Sequence, residues 1–139
     1  MTTTFFSDVQ PSSSTAAQVW TGRVLSGIGV LFLTMDAVMK VLQLPAAIEG
    51  TKRVGYPADV VLTLGILQLI CLAVYLIPRT SVLGAILWTG YLGGAVATHV
   101  RVGDPLFTHI LFPVYVAALL WGGLALRDPR LRSVLKGTR

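Results

Sequence analysis

Four long apolar runs dominate the pattern of hydrophobic and polar positions along the chain. They cover about residues 22–42, 58–77, 81–100 and 106–126. A helix needs about 20 apolar residues to cross about 30 Å of hydrocarbon, and each run has that length. Because backbone groups in lipid must be hydrogen-bonded within their own segment, each run is predicted to be a helix. The pattern therefore predicts an all-α fold, a four-helix transmembrane bundle over residues 22–126.

Prolines and polar residues mark the ends of these runs. Pro78 closes the second run, and Asp104 followed by Pro105 is typical of an N-cap and a first-turn proline at the start of the fourth. The connections at residues 78–80 and 101–105 are short. Short connections join antiparallel neighbours, so the second, third and fourth helices are predicted to pack side by side.

Three segments lie outside the apolar runs. Residues 1–21 are rich in Ser and Thr, have no signal-peptide pattern, and are predicted to form a flexible cytoplasmic leader. The connection at residues 43–57 has room for a short helical turn near 46–52. The basic tail at residues 127–139 fits two interpretations, a short helix on an anionic membrane surface or a frayed end that serves only the topology.

Composition supports the membrane assignment and excludes other classes. The chain is 54% apolar and 12% charged, with a mean hydropathy of +0.75. Soluble domains carry about 25% charged residues, so this chain has too little charge to coat a water-exposed surface. A single cysteine, Cys71, excludes a disulfide scaffold. The net charge of +5 does not indicate nucleic-acid binding, because the basic residues stand at the ends of apolar runs.

The distribution of Lys and Arg predicts the orientation. Seven of the eleven lie on the side that holds both termini, and four lie on the other side. Cytoplasmic segments carry the excess of basic residues, so both the N and the C terminus are predicted to be cytoplasmic. The four bases on the opposite, non-cytoplasmic side are Lys40, Lys52, Arg53 and Arg101.

Polar side chains inside the spans form the candidate site. An ionisable residue at the bilayer centre costs about 2.5–3.5 kcal/mol, so each one needs a reason. With alternating helix directions, the ionisable residues fall in the non-cytoplasmic half of the bundle, which predicts a site that opens outward. They are Asp36, Lys40, His99, Arg101, Asp104 and His109.

Each of these residues has a functional and a structural interpretation. In the functional one, His99 and His109 handle protons or orient a ligand, Arg101 stabilises negative charge, and Asp36 and Asp104 orient those groups. In the structural interpretation, Asp36 pairs with Lys40 four residues later, while Arg101 and Asp104 only stabilise the turn at residues 101–105 and cap the fourth helix. Haem or metal binding by the two histidines is disfavoured, because a third conventional ligand is missing.

Further side chains are candidates for the walls of a ligand pocket. Gln68 lies mid-span, where a polar side chain is often an interhelical hydrogen-bond donor. Pro113 removes a helical bond to the carbonyl of His109 and predicts a kink in the fourth helix. Gly90 and Gly94 form a GxxxG pattern, which predicts close helix packing, internal or between two copies. The candidate ligand-binding residues are Lys40, Gln68, Trp88, Tyr91, Phe112 and Tyr115.

Several stretches of the sequence have a family pattern. TGYLGGAVATHVRVGDPL at residues 89–106, FTHILFP at 107–113 and LRDPRLR at 126–132 resemble the DoxX-like family. The resemblance extends over about residues 22–132 and implies a small four-helix, multi-pass protein of the bacterial inner membrane. It also implies association with membrane redox complexes and contact with a quinone. With no CxxC motif and no flavin or dinucleotide fingerprint, thiol and flavin chemistry is not expected.

Two function hypotheses follow from the sequence. The first is a redox-complex component, or an enzyme, that binds a quinone-like or other lipophilic small molecule near the non-cytoplasmic face. The alternative is a non-catalytic membrane scaffold or assembly subunit, in which the same polar residues lock the bundle. A small transporter is disfavoured, because no polar path continues into the cytoplasmic half. The expected partners are the lipid bilayer and either a second copy or another membrane subunit.

Overall fold

A computed structural model describes residues 14–137, and this part of the chain is all-α, with no strand. The chain forms six α-helices and one π-helical segment within these residues. In chain order they are α1 (Ala16–Val41), α2 (Pro45–Arg53), α3 (Val60–Leu76), α4 (Ser81–Arg101), the π segment (Leu106–Ile110), α5 (Phe112–Arg127) and α6 (Pro129–Leu135).

The protein is a membrane protein with three helices that are long and apolar enough to cross a bilayer. They are α1, α4 and the combined helix Leu106–Arg127. The predicted second span corresponds to α3, which is apolar throughout but has only 17 residues. That length is at the lower limit of about 17–25 residues for a spanning helix.

Helix α1 begins earlier than the sequence pattern predicts, at Ala16 instead of near residue 22. A capping box explains the early start: the Thr15 side chain accepts from the Gln18 N–H, and the Gln18 side chain accepts from the Thr15 N–H at 3.1 Å. The last residues of the predicted leader are therefore helical. The rest of that leader, residues 1–13, lies outside the described residues.

Two short helices lie outside the long apolar runs. The helical turn predicted near residues 46–52 is α2, which begins with a proline at its first position. The tail forms α6, and the Asp128 carboxylate caps it by accepting from the N–H groups of Arg130 and Leu131. Asp128 and Pro129 are thus an N-cap and a first-turn proline. The same roles predicted for Asp104 and Pro105 are wrong: Pro105 is the N-cap residue of the π segment, which has no side-chain cap, and Asp104 bonds His99 and Arg53 instead.

Helices α1, α3, α4 and α5 pack in a ring. Helices α1 and α4 lie diagonally opposite each other, and α3 and α5 each contact both of them. Tyr75 lies near the C-terminal end of α3 and is fully buried. Its hydroxyl donates to the Leu120 carbonyl at 2.9 Å and contacts Ser26 Oγ at 3.0 Å. One tyrosine thereby ties α1, α3 and α5 together.

Glycines determine where the helices approach most closely. Gly22 on α1 faces Gly123 on α5, so a Cβ on either would overlap the other's backbone. A Cβ on Gly84 would overlap the Tyr75 backbone, which sets the contact between α3 and α4. The GxxxG pair on α4 differs, because a Cβ on Gly90 or Gly94 meets no atom within 4 Å. That pair therefore does not serve internal packing.

The fourth span is interrupted, as Pro113 predicts. The π segment ends at Ile110, whose N–H bonds to the Pro105 carbonyl at 3.2 Å, and α5 begins at Phe112 after a bend at Leu111. Because Pro113 has no N–H, a regular helix cannot continue through this point. The sequence predicts a kink at this point but does not predict its π-helical form.

Both ends of the described chain lie at one end of the bundle. The Arg132 guanidinium on α6 donates to Ser14 Oγ at 3.1 Å and to the Leu126 carbonyl at 2.7 Å. It also reaches Gln18 Oε1 at 3.4 Å. The start of α1 and the end of α5 are therefore held together by one side chain.

Candidate functional site

A cavity of about 460 Å³ lies between α1, α2, α3 and α4. We call it the outer cavity. Most of its wall is apolar and comes from Met39, Leu64 and Leu67, together with small residues of α2 and α4. Its polar lining residues are Asp36, Lys40, Thr51, Tyr56, Tyr91, Thr98 and His99.

A second, inner cavity of about 210 Å³ lies between α1, α3, α4 and the start of α5. Gln68 is its polar side chain from α3, and Phe112 and Pro113 close it on the side of α5. The two cavities meet at the same side chains. The residues that line both are Asp36, Lys40, Tyr91, Ala95 and His99.

Asp36, Lys40 and Gln68 form one hydrogen-bonded group at this junction. Lys40 pairs with Asp36 one helical turn away, and Gln68 Nε2 donates to the same oxygen, Asp36 Oδ2, at 2.7 Å. Gln68 is 1% exposed. Its amide group is fixed by this bond, because a carboxylate only accepts. Among residues 14–137, Asp36 Oδ1 and Gln68 Oε1 have no hydrogen-bond partner.

His99 is held from behind by Asp104. Its Nδ1 lies 2.6 Å from Asp104 Oδ2, and Arg53 donates to Asp104 Oδ1 at 2.8 Å. The bond from His99, and after it the bond from Arg53, holds the pKa of the Asp104 carboxyl below its usual range. Since the ionised carboxylate only accepts, Nδ1 is the donor. Nε2 is then the acceptor of the neutral imidazole ring.

His109 lies next to His99 but lines neither cavity. The two ring centroids are 5.9 Å apart, with an edge-to-face orientation. Nδ1 of His109 lies 2.8 Å from the hydroxyl of the adjacent Thr108. The ring therefore supports His99 from the side of the π segment, and only His99 of the two reaches the cavity walls.

Arg101 lies on the outer surface, where its side chain is bound to the loop after α2. It donates to the Val54 carbonyl at 2.6 Å, and its guanidinium lies 5.8 Å from the ring centroid of Tyr56. The hydroxyl of Tyr56 lies 3.2 Å from Thr98 Oγ1. These contacts fasten the loop over α4, and Arg101 lines neither cavity.

The predicted aromatic wall residues occupy different places. Tyr91 lines both cavities, and Phe112 lines the inner one. Trp88 is 1% exposed and lies behind Tyr91, with the two ring centroids 5.6 Å apart. Tyr115 is 46% exposed on the surface of α5 and lines neither cavity.

Sequence reasoning missed Arg53 as a member of the site. It appeared only among the bases of the non-cytoplasmic side, the side that also holds Asp104. That shared side is a signal for their proximity, but their pairing depends on how α2 folds back over the bundle. Within the described residues, no group of three or more His, Cys, Asp or Glu is placed to hold a metal ion.

Comparison with known proteins gives one family. A family model described as the DoxX-like family matches residues 24–123, which include the cavity-lining residues of α1 through α4. No curated protein matches the chain, and no solved structure matches it.

Proposed function

The chain belongs to the DoxX-like family, and we propose that it binds a quinone-like or other lipophilic small molecule in the outer cavity. We further propose that it does so as a component of a membrane redox complex. In this proposal the head group lies at the junction of the two cavities, and the apolar remainder lies along the outer cavity.

The combination of size and lining of the outer cavity carries this proposal. Ligand sites are commonly about 300–1,000 Å³, mostly apolar, with a few convergent polar groups. The outer cavity has about 460 Å³, and its polar groups at the junction stand against walls of Met39, Leu64 and Leu67. A lipophile with one polar end matches that distribution.

Access from the bilayer is the second support. Leu67 is 45% exposed on the surface of α3, and Gly90 and Gly94 are exposed on α4. All three line the outer cavity. Since two glycines leave the rim of the cavity without side chains, an apolar molecule dissolved in lipid has a lateral entrance between α3 and α4.

The chain's own residues bind, orient and exchange a proton at this site. His99 presents Nε2 as an acceptor, because Asp104 and Arg53 fix the tautomer from the other side of the ring. Tyr91 lines both cavities and therefore lies beside the proposed head group. Asp104 and Arg53 are positioning residues, since they act through His99.

We place the protein as a four-span bundle in the bacterial inner membrane, with both termini in the cytoplasm. Helix α3 packs between α1 and α4, each long enough to cross the bilayer, and so crosses with them. The ends of the described chain meet at Arg132, and an even number of spans is required for both to lie on one side. The excess of basic residues assigns that side to the cytoplasm.

Two glycine variants on α4 test the ligand proposal. Gly94→Leu places a side chain in the outer cavity, whereas Gly93→Leu adds the same side chain next to it, outside both cavities. We expect mass spectrometry of the purified protein to find a lipophilic small molecule with wild type and Gly93→Leu, and to find it depleted with Gly94→Leu. Phospholipid alone, in equal amounts in all three proteins, would contradict the proposal.

The scaffold alternative has an observation of its own. Arg53, Tyr56 and Arg101 fasten the loop after α2 to the end of α4 and to Asp104, which stabilises the fold whether or not a ligand binds. Replacing His99 and His109 together by Ala separates the two proposals. Loss of the co-purified molecule from a folded bundle supports the ligand site, and loss of the fold in detergent supports the scaffold.

A further inference from the structure

We infer that the head group bound at the junction carries a hydroxyl group, so that the site selects a phenol-like or hydroquinone-like lipophile over its ether or carboxylate counterpart. The inference rests on the proposed function, because it names the head group of the ligand that the outer cavity takes. It is drawn from the hydrogen-bonding capacity that the residues at the junction leave unused.

The first unused group is a carboxylate oxygen. Lys40 and Gln68 both donate to Oδ2 of Asp36, which leaves Oδ1 without a partner among the described residues. The Asp36 side chain is 34% exposed and lines both cavities. Oδ1 is an acceptor and nothing else, so only a ligand that donates a hydrogen bond can bind it.

Gln68 adds a second acceptor beside Asp36. One N–H of its Nε2 donates to Asp36, and its Oε1 is buried and unpartnered within residues 14–137. Leaving a buried acceptor unsatisfied costs about 1–3 kcal/mol. Since Gln68 lines the inner cavity, a donor that enters this cavity offsets that cost.

Three hydroxyl groups of the outer cavity, those of Thr51, Tyr56 and Thr98, have already used their hydrogens. Thr51 donates to the Ala47 carbonyl and Thr98 donates to the Gly94 carbonyl, each at 2.8 Å. Tyr56 therefore donates to Thr98, whose own hydrogen is occupied. These groups offer a ligand lone pairs only, and Nε2 of His99 also accepts.

The remaining donors are the ammonium of Lys40, the hydroxyl of Tyr91 and the second N–H of Gln68 Nε2. Lys40 uses one of its three N–H groups on Asp36, so the ion pair presents free donors next to the free Oδ1. A hydroxyl matches both sides, because it accepts from Lys40 and donates to Asp36. An ether only accepts, and a carboxylate places its charge against that of Asp36.

Three probes of one tail length test this inference: 4-octylphenol, 4-octylanisole and 4-octylbenzoate. Binding to the full chain in nanodiscs is measured at neutral pH, and the amount bound to Gly94→Leu nanodiscs is subtracted as membrane partitioning. We expect the phenol to bind at least tenfold more tightly than the anisole, and the benzoate to bind more weakly than the phenol.

The possible outcomes separate the inference from the proposed function. Equal binding of the phenol and the anisole, or tightest binding of the benzoate, overturns the hydroxyl preference and leaves a lipophile site in place. Absence of specific binding by all three probes overturns the proposed site and the inference with it.

Two variants check that the preference comes from the junction. Asp36→Asn combined with Lys40→Met removes both charges at once, so no buried charge is left alone. Gln68→Met keeps the volume of the side chain and removes its amide. We expect either variant to reduce the preference for the phenol to within threefold, and an unchanged preference in a folded variant overturns the inference.

Discussion

At the scale of single residues, Asp104 couples the site to pH. His99 and Arg53 bond to its carboxylate and lower its pKa. A carboxyl whose folded-state pKa is lowered contributes stability above its unfolded value, about 3.9. That contribution is lost as pH falls from about 4 through the lower folded-state pKa.

We predict that thermal stability in detergent declines less steeply below about pH 4 for Asp104→Asn than for wild type. The matched control is Glu49→Gln, since Glu49 is exposed and has no hydrogen bond or ion pair in the described part of the chain. Melting curves between about pH 6 and about pH 2.5 give the slope of melting temperature against pH for each protein. Identical slopes for wild type and Asp104→Asn would show that the carboxylate bonds do not stabilise the fold.

Tyr75 gives a second residue-scale prediction. Tyr75→Phe leaves the Leu120 carbonyl and the Ser26 hydroxyl without their buried partner. We expect a loss of about 1–3 kcal/mol in the free energy of unfolding, measured by denaturant titration in mixed micelles. Tyr115→Phe, at an exposed position of α5, should change it by less than about 0.5 kcal/mol. Equal effects of the two variants would contradict this role for Tyr75.

At the scale of the helices, two adjacent glycines of α5 separate packing from helix propensity. Gly123 lies against Gly22 and Ser26 of α1, whereas a Cβ on Gly122 meets nothing within 4 Å. We predict that Gly123→Ala destabilises the bundle by about 1–3 kcal/mol through overpacking. Gly122→Ala should be neutral or stabilising by up to about 1 kcal/mol, since alanine favours the helix.

The same denaturant titration measures both glycine variants. Because each variant adds one methyl group at mid-helix, the difference between them isolates the contact between α1 and α5. If Gly123→Ala is as stable as Gly122→Ala, α1 and α5 do not approach each other closely at Gly22 and Gly123.

The sequence predicts the positions of the helices better than it predicts which helices contact each other. Apolar run length predicts α1, α4 and α5, and Pro113 predicts the interruption near Leu111, because a missing N–H acts locally. The start of α1 at Ala16 depends on a capping box outside the apolar run. GxxxG on α4 predicts packing within the bundle or between two copies, and within the bundle Gly90 and Gly94 border the outer cavity instead of meeting another helix. Which glycines meet another helix is set by tertiary structure.

Polar residues are rare in apolar helices, and this rarity is the reason for predicting that Asp36, Lys40, Gln68 and His99 belong to the candidate site. The structure places all four around the cavities. Arg101 has the same sequence signal but faces the loop after α2. At a helix end, one residue position decides whether a side chain faces the bundle or the surface, and the periodicity of an apolar run does not extend that far.

At the scale of the whole molecule, the topology is testable by cysteine labelling. Cys71 is buried, so a Cys71→Ala background allows single cysteines to be introduced at the surface. We predict that Glu49→Cys in α2 reacts with a membrane-impermeant maleimide in intact cells. Lys136→Cys, just after α6, should react only after permeabilisation. In a four-span bundle, three spans separate the two cysteines and place them on opposite sides of the membrane. Reaction of both cysteines from the same side would exclude that bundle.

Site-resolved photolabelling tests whether the outer cavity holds a lipophile, as we propose. A diazirine-bearing 4-alkylphenol is activated on the protein in nanodiscs, and the modified peptides are mapped by mass spectrometry. We predict labels at Leu64, Leu67 and Tyr91 that disappear in Gly94→Leu and persist in Gly93→Leu. Labels spread over exposed lipid-facing residues such as Leu83 and Ile86, unchanged in Gly94→Leu, would contradict the proposal.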